Sequence, residues 1–404
     1  MKIVLINHSD CRGGASVVTR RLMHALRNLG HDATMLVVHK GTDDPHVFLA
    51  APRWRSRLPF YAEHLRIFCA CRFSRENLFK ISIATDGLPL STHPLVRGAD
   101  AVILNWVNQG MLSLAEIARI AADKKLLWTM HDMWNLTSLC HHAGACRLFT
   151  EDPGCSACPL APGSAISART WRRKKRLYTG APMRFVAVSS WLARKCARSS
   201  LLGAVDVPVI HNAFPVEDFY ISPRKTRQEL HLPAGRKIIL MGAARLDDSV
   251  KGLPYAVDVL NSLRSTDAIA VFYGAVRDGS ALTSLRFPHV MLGTVDGETV
   301  RELCAHASVV ISTSLYETLP GTLIEGMAAG CTPVAFDSGG QSDIIRENGR
   351  DGWLIRPYDT AAFARAVDKA LEEPCDSAYL RKVTAERFSA EAVARRYVEL
   401  LSRK

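Results

Sequence analysis

Eleven short apolar runs, rich in β-branched residues and separated by helical stretches, constrain this chain more than any other feature. They lie at 2–7, 33–39, 101–107, 125–130 and 184–189, and after a break at 237–243, 268–274, 289–295, 307–313, 332–338 and 353–357. Within each run the apolar residues are nearly continuous, where a half-exposed strand would alternate. That suits parallel strands covered on both faces. Strands separated by amphipathic helices make βαβ units. The expected fold class is therefore α/β, with two doubly wound, Rossmann-like domains. The length of 404 residues agrees, since it exceeds one ordinary core. Turn residues crowd the stretch from about 200 to 230, and the tail SAEAVARRYVELLSRK reads as a closing helix. The expected division is 1–205 for the first domain, 206–385 for the second and 386–404 for a helix that crosses back to the first.

In open α/β sheets, ligands bind beyond the carboxyl ends of the strands. Two such domains facing each other would form a cleft from those loops, so residues just after strands are the candidates for chemistry. After run 307–313 comes SLYETLPGTLIEGMAAGCTPV, which places Glu317 in a loop and predicts a helix over about 320–329. Glu325 then lies one turn in, on the face above Gly321. The unpaired N–H groups of a helix start form an anion site. A carboxylate beside it can accept from sugar hydroxyls, and a second can grip a vicinal diol such as ribose. Such a set suits a sugar joined through a pyrophosphate to a nucleoside; two surface glutamates and a helix cap would also satisfy this stretch alone.

After run 237–243, Arg245 and Lys251 flank a loop that leads into another helix near Gly252. Two cations there can neutralise a departing pyrophosphate without a metal. After the first run, Gly13 and Gly14 open a helix and allow a backbone to approach an anion closely. They do not form the Gly-x-Gly-x-x-Gly of a dinucleotide site. His131 and Asp132 end run 125–130, where a histidine is placed to meet substrate.

These residues, in this order, resemble the family 4 retaining glycosyltransferases of GT-B fold. The Gly-Gly loop, TMHD, ARLDDSVKG and Glu317-x7-Glu325 with GMAAGCTPVAFDSGG carry the resemblance across nearly the whole chain. HDMWNLTSLC…C…CSACP is most similar to bacterial exopolysaccharide transferases of the colanic-acid type. The resemblance implies a sugar moved from a nucleoside-diphosphate sugar to a glycan or lipid-linked glycan acceptor in surface polysaccharide synthesis. It implies that Arg245 and Lys251 hold the diphosphate, Glu317 the donor-sugar hydroxyls and Glu325 the ribose. Backbone around Leu319, Pro320, Gly321 and Thr322 assists, and Gly293, Thr294 and Val295 form the base pocket. His131 lies beside the transferred sugar, and Gly13-Gly14 near the phosphates or acceptor. Asp343 stands where the family often has glutamate. No Asp-x-Asp occurs in the sequence, which fits transfer without a catalytic metal or other cofactor. Two other functions share these residues: a sugar-nucleotide epimerase or hydrolase of the same fold, and a non-catalytic subunit of a polysaccharide assembly.

Cys140, Cys146, Cys155 and Cys158 cluster in an insertion at about 136–165, with His141 and His142 nearby. Four thiolates would complete a tetrahedral structural zinc site; reduced free thiols or a disulfide are the other readings. The net charge of +12 favours acidic partners. Its excess sits in 51–75, where arginines alternate with aromatics, and in ARTWRRKKRLY at 168–178. A solvated basic face and docking on an anionic membrane surface both fit. Nucleic acid is disfavoured, because no nucleic-acid module accompanies the charge. The opening MKIVLINHSD is too short in apolar residues for a signal peptide, and no stretch of about 18 apolar residues occurs. The chain is thus expected in the cytoplasm, held at the inner membrane face if at any.

Overall fold

The apolar runs become two six-stranded sheets, every pairing parallel, in a computed structural model that describes residues 1–220 and 222–403. The first sheet contains β1 (Lys2–Ser9), β2 (Asp32–His39), β3 (Val47–Leu49), β4 (Ala101–Leu104), β5 (Lys125–Met130) and β6 (Met183–Ala187), in the order β3-β2-β1-β4-β5-β6. The second contains β7 (Lys237–Arg245), β8 (Ala268–Ala275), β9 (His289–Met291), β10 (Val309–Ser312), β11 (Thr332–Phe336) and β12 (Trp353–Ile355), in the order β12-β11-β10-β7-β8-β9. Counted from its own first strand, the second sheet repeats the order of the first. Each unit is therefore a doubly wound Rossmann-type sheet, with its switch points at β1/β4 and β7/β10. All eleven expected strands form. β3 was not foreseen, because its three residues are too short to show a pattern.

Near-continuous apolar runs work here because both faces are covered. In the second unit Ile239, Met241, Phe272, Ile311, Val334 and Phe336 point to one face and bury against Leu253, Val257, Phe363 and Val367 from helices Leu253–Asn261 and Thr360–Glu372. On the other face helix Gly321–Ala329 comes so close to β10 that a Cβ on Gly326 would lie 2.6 Å from Val310. In the first unit α1 (Gly14–Asn28) covers the sheet through Val18, Leu22, Met23 and Leu26, all buried.

The chain divides at Ala213, later than the expected 205, and returns to the first unit at Val393, later than 386. Two local ties explain the shift. Residues 208–210 extend the first sheet, with Ala187 N donating to Pro208 O and Ile210 N to Ala187 O, at 3.0 Å each. Phe214 N then donates to Phe388 O at 2.9 Å, which holds the end of helix Ser377–Phe388 in the second unit. Helix Ala390–Ser402 packs on the first sheet, where Tyr397 is buried and its hydroxyl lies 2.9 Å from Thr129 Oγ1.

Candidate donor site at the β7/β10 switch point

β7 and β10 are neighbours with helices leaving in opposite directions, so a crevice opens beyond their carboxyl ends. Arg245 closes β7, and a short 3-10 turn, Ser249–Lys251, brings Lys251 beside the residues that follow β10. That approach depends on Gly252. It is left-handed at φ 67°, and a Cβ there would stand 2.1 Å from Thr313 O. Thr313 Oγ1 in turn donates to Lys251 O and Gly252 O at 3.1 and 3.0 Å, and Leu315 N donates to Val250 O at 2.7 Å.

The result is a direct ion pair: Lys251 Nζ donates to Glu317 Oε1. Ser314 Oγ donates to the same oxygen at 3.2 Å. The backbone of Glu317 is fastened too, because Gly340 N donates to Glu317 O at 2.9 Å. Gly339 passes so close that a Cβ would lie 1.9 Å from Glu317 O. Arg245 stays half-exposed, with Nε 3.3 Å from Asp247 Oδ1. Backbone N–H groups of Asp278 and Arg277 also bind Asp247, which with Arg245 keep its carboxyl below the usual range. Sequence reasoning passed over Asp247 and Ser314, although each lies within three residues of a named one.

Helix Gly321–Ala329 starts as expected and stops at Gly330, left-handed at φ 96°. Among the described residues no side chain caps its first N–H groups. Leu319 is buried, and Pro320, Gly321 and Thr322 form the helix start. Glu325 is half-buried on this helix, near Tyr273 of β8. The Tyr273 ring crosses the space that a side chain on Gly242 would fill, 1.8 Å from the built Cβ. Burial, then the proximity of Cys304 and Glu325, holds the Tyr273 phenol protonated. Gly293, Thr294 and Val295 lie in the loop after β9, where Gly274 N donates to Gly293 O at 2.7 Å. Asp343 is buried in the short helix Gln341–Ile344. Arg245, Lys251, Glu317, Glu325 and the helix start thus share one sheet end.

The first unit has its own switch point. Gly13, at φ 83°, and Gly14 lead from β1 into α1, and a Cβ on either would meet nothing within 4 Å. Asn7 Oδ1 accepts from Trp106 N at 2.9 Å and ties β1 to the end of β4. His131 lies past β5 with Nε2 3.0 Å from Asn105 Oδ1, and burial pulls it down to about 4 against the opposing charge of Asp132. Asp132 has a structural task that the sequence did not announce. It accepts from His141 Nδ1 at 2.7 Å, Trp106 Nε1 at 2.9 Å and Trp134 N at 2.8 Å. Burial alone would raise it, but His141 above all holds it at about 2.

Among the described residues no three His, Cys, Asp or Glu side chains are placed to hold a metal ion. Cys140, Cys146, Cys155 and Cys158 are free thiols. Burial pushes Cys140 up to about 12 and raises Cys158, so both stay protonated. His141 is engaged with Asp132 and, through Nε2, with Ser82 Oγ at 3.0 Å. The basic segment 168–178 is surface only in part, with Arg169, Arg172 and Arg176 exposed. Within helix Ile166–Gly180, Lys174 is fully buried and donates to Trp134 O and Thr137 O at 2.5 and 3.1 Å. Arg173 donates to Ile83 O and Ala84 O.

Comparison with known proteins agrees with this fold. The model of the Glycosyl transferase 4-like domain matches residues 13–213, and that of Glycosyl transferases group 1 matches 235–373. EpsD of Bacillus subtilis is 39% identical over 75 residues, 19% of each chain. The glycogen synthase of Thermotoga maritima is 27% identical over 158 residues, 36% of this chain and 32% of that one. The chain thus spans a third or less of the length of these curated relatives. Among solved structures, HepE of Anabaena in complex with UDP and glucose shares the fold at TM-score 0.68 and 18% identity, over 100% of this chain and 99% of that one. A glycosyltransferase from Rickettsia africae does so at 0.69 and 17%, over 99% and 97%. The two family matches together cover more than four fifths of the chain, and the chain belongs to the glycosyl transferase family that they describe.

Proposed function

We propose that the protein is a retaining glycosyltransferase that moves a sugar from a nucleoside-diphosphate sugar to a glycan or lipid-linked glycan acceptor in surface polysaccharide synthesis. The Lys251–Glu317 pair beside an uncapped helix start is the observation that carries this reading. A cation, a carboxylate and free N–H groups within one crevice match a ligand with a diphosphate at one end and hydroxyls beside it.

In this reading Arg245 and Lys251 take the diphosphate, the helix start around Leu319–Thr322 adds N–H donors, and Glu317 accepts from the donor sugar. Glu325 holds the ribose diol, and the loop at Gly293–Val295 meets the base. His131, Gly13 and Gly14 belong to the acceptor unit. His131 is neutral at working pH, so it can exchange hydrogen bonds with hydroxyls without adding charge. In the transfer, the bond from the anomeric carbon to the phosphate oxygen breaks. A bond to an acceptor hydroxyl oxygen forms on the same face, and the hydroxyl proton leaves with the nucleoside diphosphate. The cations stabilise charge that grows on the leaving group, which is where preorganised charge acts most. HepE structures hold UDP and UDP-glucose, which makes uracil the first base to try.

The test is thermal shift against UDP, GDP, ADP, CMP and dTDP, with Glu325→Ala alongside. A ligand at about 100 times its Kd adds roughly 2.7 kcal/mol. One diphosphate should stabilise the wild type and leave the variant unmoved. No response to any of them would overturn the donor assignment and favour the non-catalytic subunit. Hydrolysis of the nucleotide sugar without any acceptor as the fastest reaction would favour the epimerase or hydrolase.

A further inference from the structure

Helix α2 (Arg53–Ala70) buries one face in the fold and carries an apolar stripe on the opposite one. One face belongs to the fold: Ser56, Glu63 and Ile67 are buried, and Glu63 accepts from Ile83 N, Ala84 N and Gly110 N at 2.7, 2.9 and 2.5 Å. The other face carries Trp54, Leu58, Tyr61 and Leu65, exposed by 67, 64, 61 and 62%. Spacings of four, three and four residues put them in one stripe along the helix. Phe73 and Phe79 beyond the helix, and Phe48 and Leu49 on β3 before it, are exposed as well. Eight of the twelve exposed large apolar side chains among the described residues thus fall within 48–79. A soluble surface rarely gathers them so, and a contiguous patch marks an interaction site.

What borders the stripe identifies the partner. Arg53, Arg55 and Arg57 flank it, and Arg66 is tied to Asp86. The only acidic residue of α2 is Glu63, which faces inward. An apolar stripe between arginines, with no outward carboxylate, is the arrangement that lies in the headgroup plane of an anionic bilayer. We propose that α2 seats the protein on an anionic lipid bilayer, its stripe among the acyl chains and its arginines on headgroup phosphates.

The seat also bears on the acceptor, and that part rests on the transferase reading above. Arg57, Phe60 and Tyr61 line a cavity of about 200 Å³ with His8 and His39, from the ends of β1 and β2. A helix lying in the bilayer surface opens this cavity toward the headgroups, where a lipid-linked acceptor presents its sugar.

Flotation of the full chain with vesicles of phosphatidylcholine, with and without phosphatidylglycerol, tests the proposal. The wild type should float only with the anionic vesicles, and less as salt rises. Leu58→Glu/Leu65→Glu should lower the partition at least tenfold, and Arg53→Gln or Arg55→Gln by about fivefold each. Each variant is checked for folding by circular dichroism and for an unchanged thermal response to UDP. A wild type that stays out of anionic vesicles, or a double variant that binds them like wild type, overturns the proposal. So does a dimer in sedimentation that the double variant dissociates, since the stripe would then cover a second copy. Absence of a UDP response with vesicle binding intact would instead strike only the donor reading.

Discussion

Lys251 and Glu317, 66 positions apart, form an ion pair across the β7/β10 switch point, and Ser314 donates to the same carboxylate. Lys251 and Glu317 are 26 and 18% exposed, against 44% for Arg245, so the pair is sheltered while leaving an edge open to solvent. Lys251→Met should weaken UDP far more than uridine, because only the diphosphate needs the cation. Calorimetric titration of both ligands checks this, and equal losses would remove Lys251 from the phosphate site. Lys251→Ala or Glu325→Ala should lower turnover roughly 10²–10³-fold, as for loss of one preorganised group. Near wild-type rates in both would sink the site.

Gly252 tests the backbone that delivers Lys251. Gly252→Ala forces a side chain into left-handed backbone, which alone costs about 1–2 kcal/mol. Its Cβ also meets Thr313 O, so the total loss should be larger. Gly279→Ala is the control: its Cβ would meet nothing within 4 Å, and a change within about 0.5 kcal/mol is expected. Urea unfolding of both measures the difference.

Glu63 holds the seat of α2. Glu63→Ala would leave Ile83, Ala84 and Gly110 N–H groups without their acceptor in the interior. A loss of about 3–5 kcal/mol follows for a broken buried network. Glu63→Gln keeps an acceptor oxygen and should recover part of it. Equal stability of the two variants would refute the acceptor role.

Two pH windows separate His131 from Asp132. His131 is lowered from 6.5 to about 4, so the unfolded chain binds its proton first as pH falls. The contribution is complete above 6.5 and is lost as pH falls toward 4, by about 3 kcal/mol. Asp132 is lowered from 3.8 to about 2; its contribution, about 2 kcal/mol, is complete above 3.8 and lost only between there and 2. His131→Asn should flatten the stability curve between pH 6.5 and 4, and Asp132→Asn should lower the curve at neutral pH. A His131→Asn curve with the wild-type slope would refute the first assignment.

The two sheets and most of the candidate crevice follow from residue pattern. Parallel strands covered on both faces must be nearly continuous apolar runs, and ligands meet such sheets just past the strand ends. Arg245, Lys251, Glu317 and the stop at Gly330 were therefore legible from position alone. Which charges face outward follows instead from tertiary packing. Lys174 sits 3.3 Å from the centre of the Trp134 ring in the interior, although its neighbours read as a basic surface. Trp54, Leu58, Tyr61 and Leu65 have the spacing of a core face and yet stand in solvent. Helical spacing says that residues share a face, and only the fold says whether anything covers it.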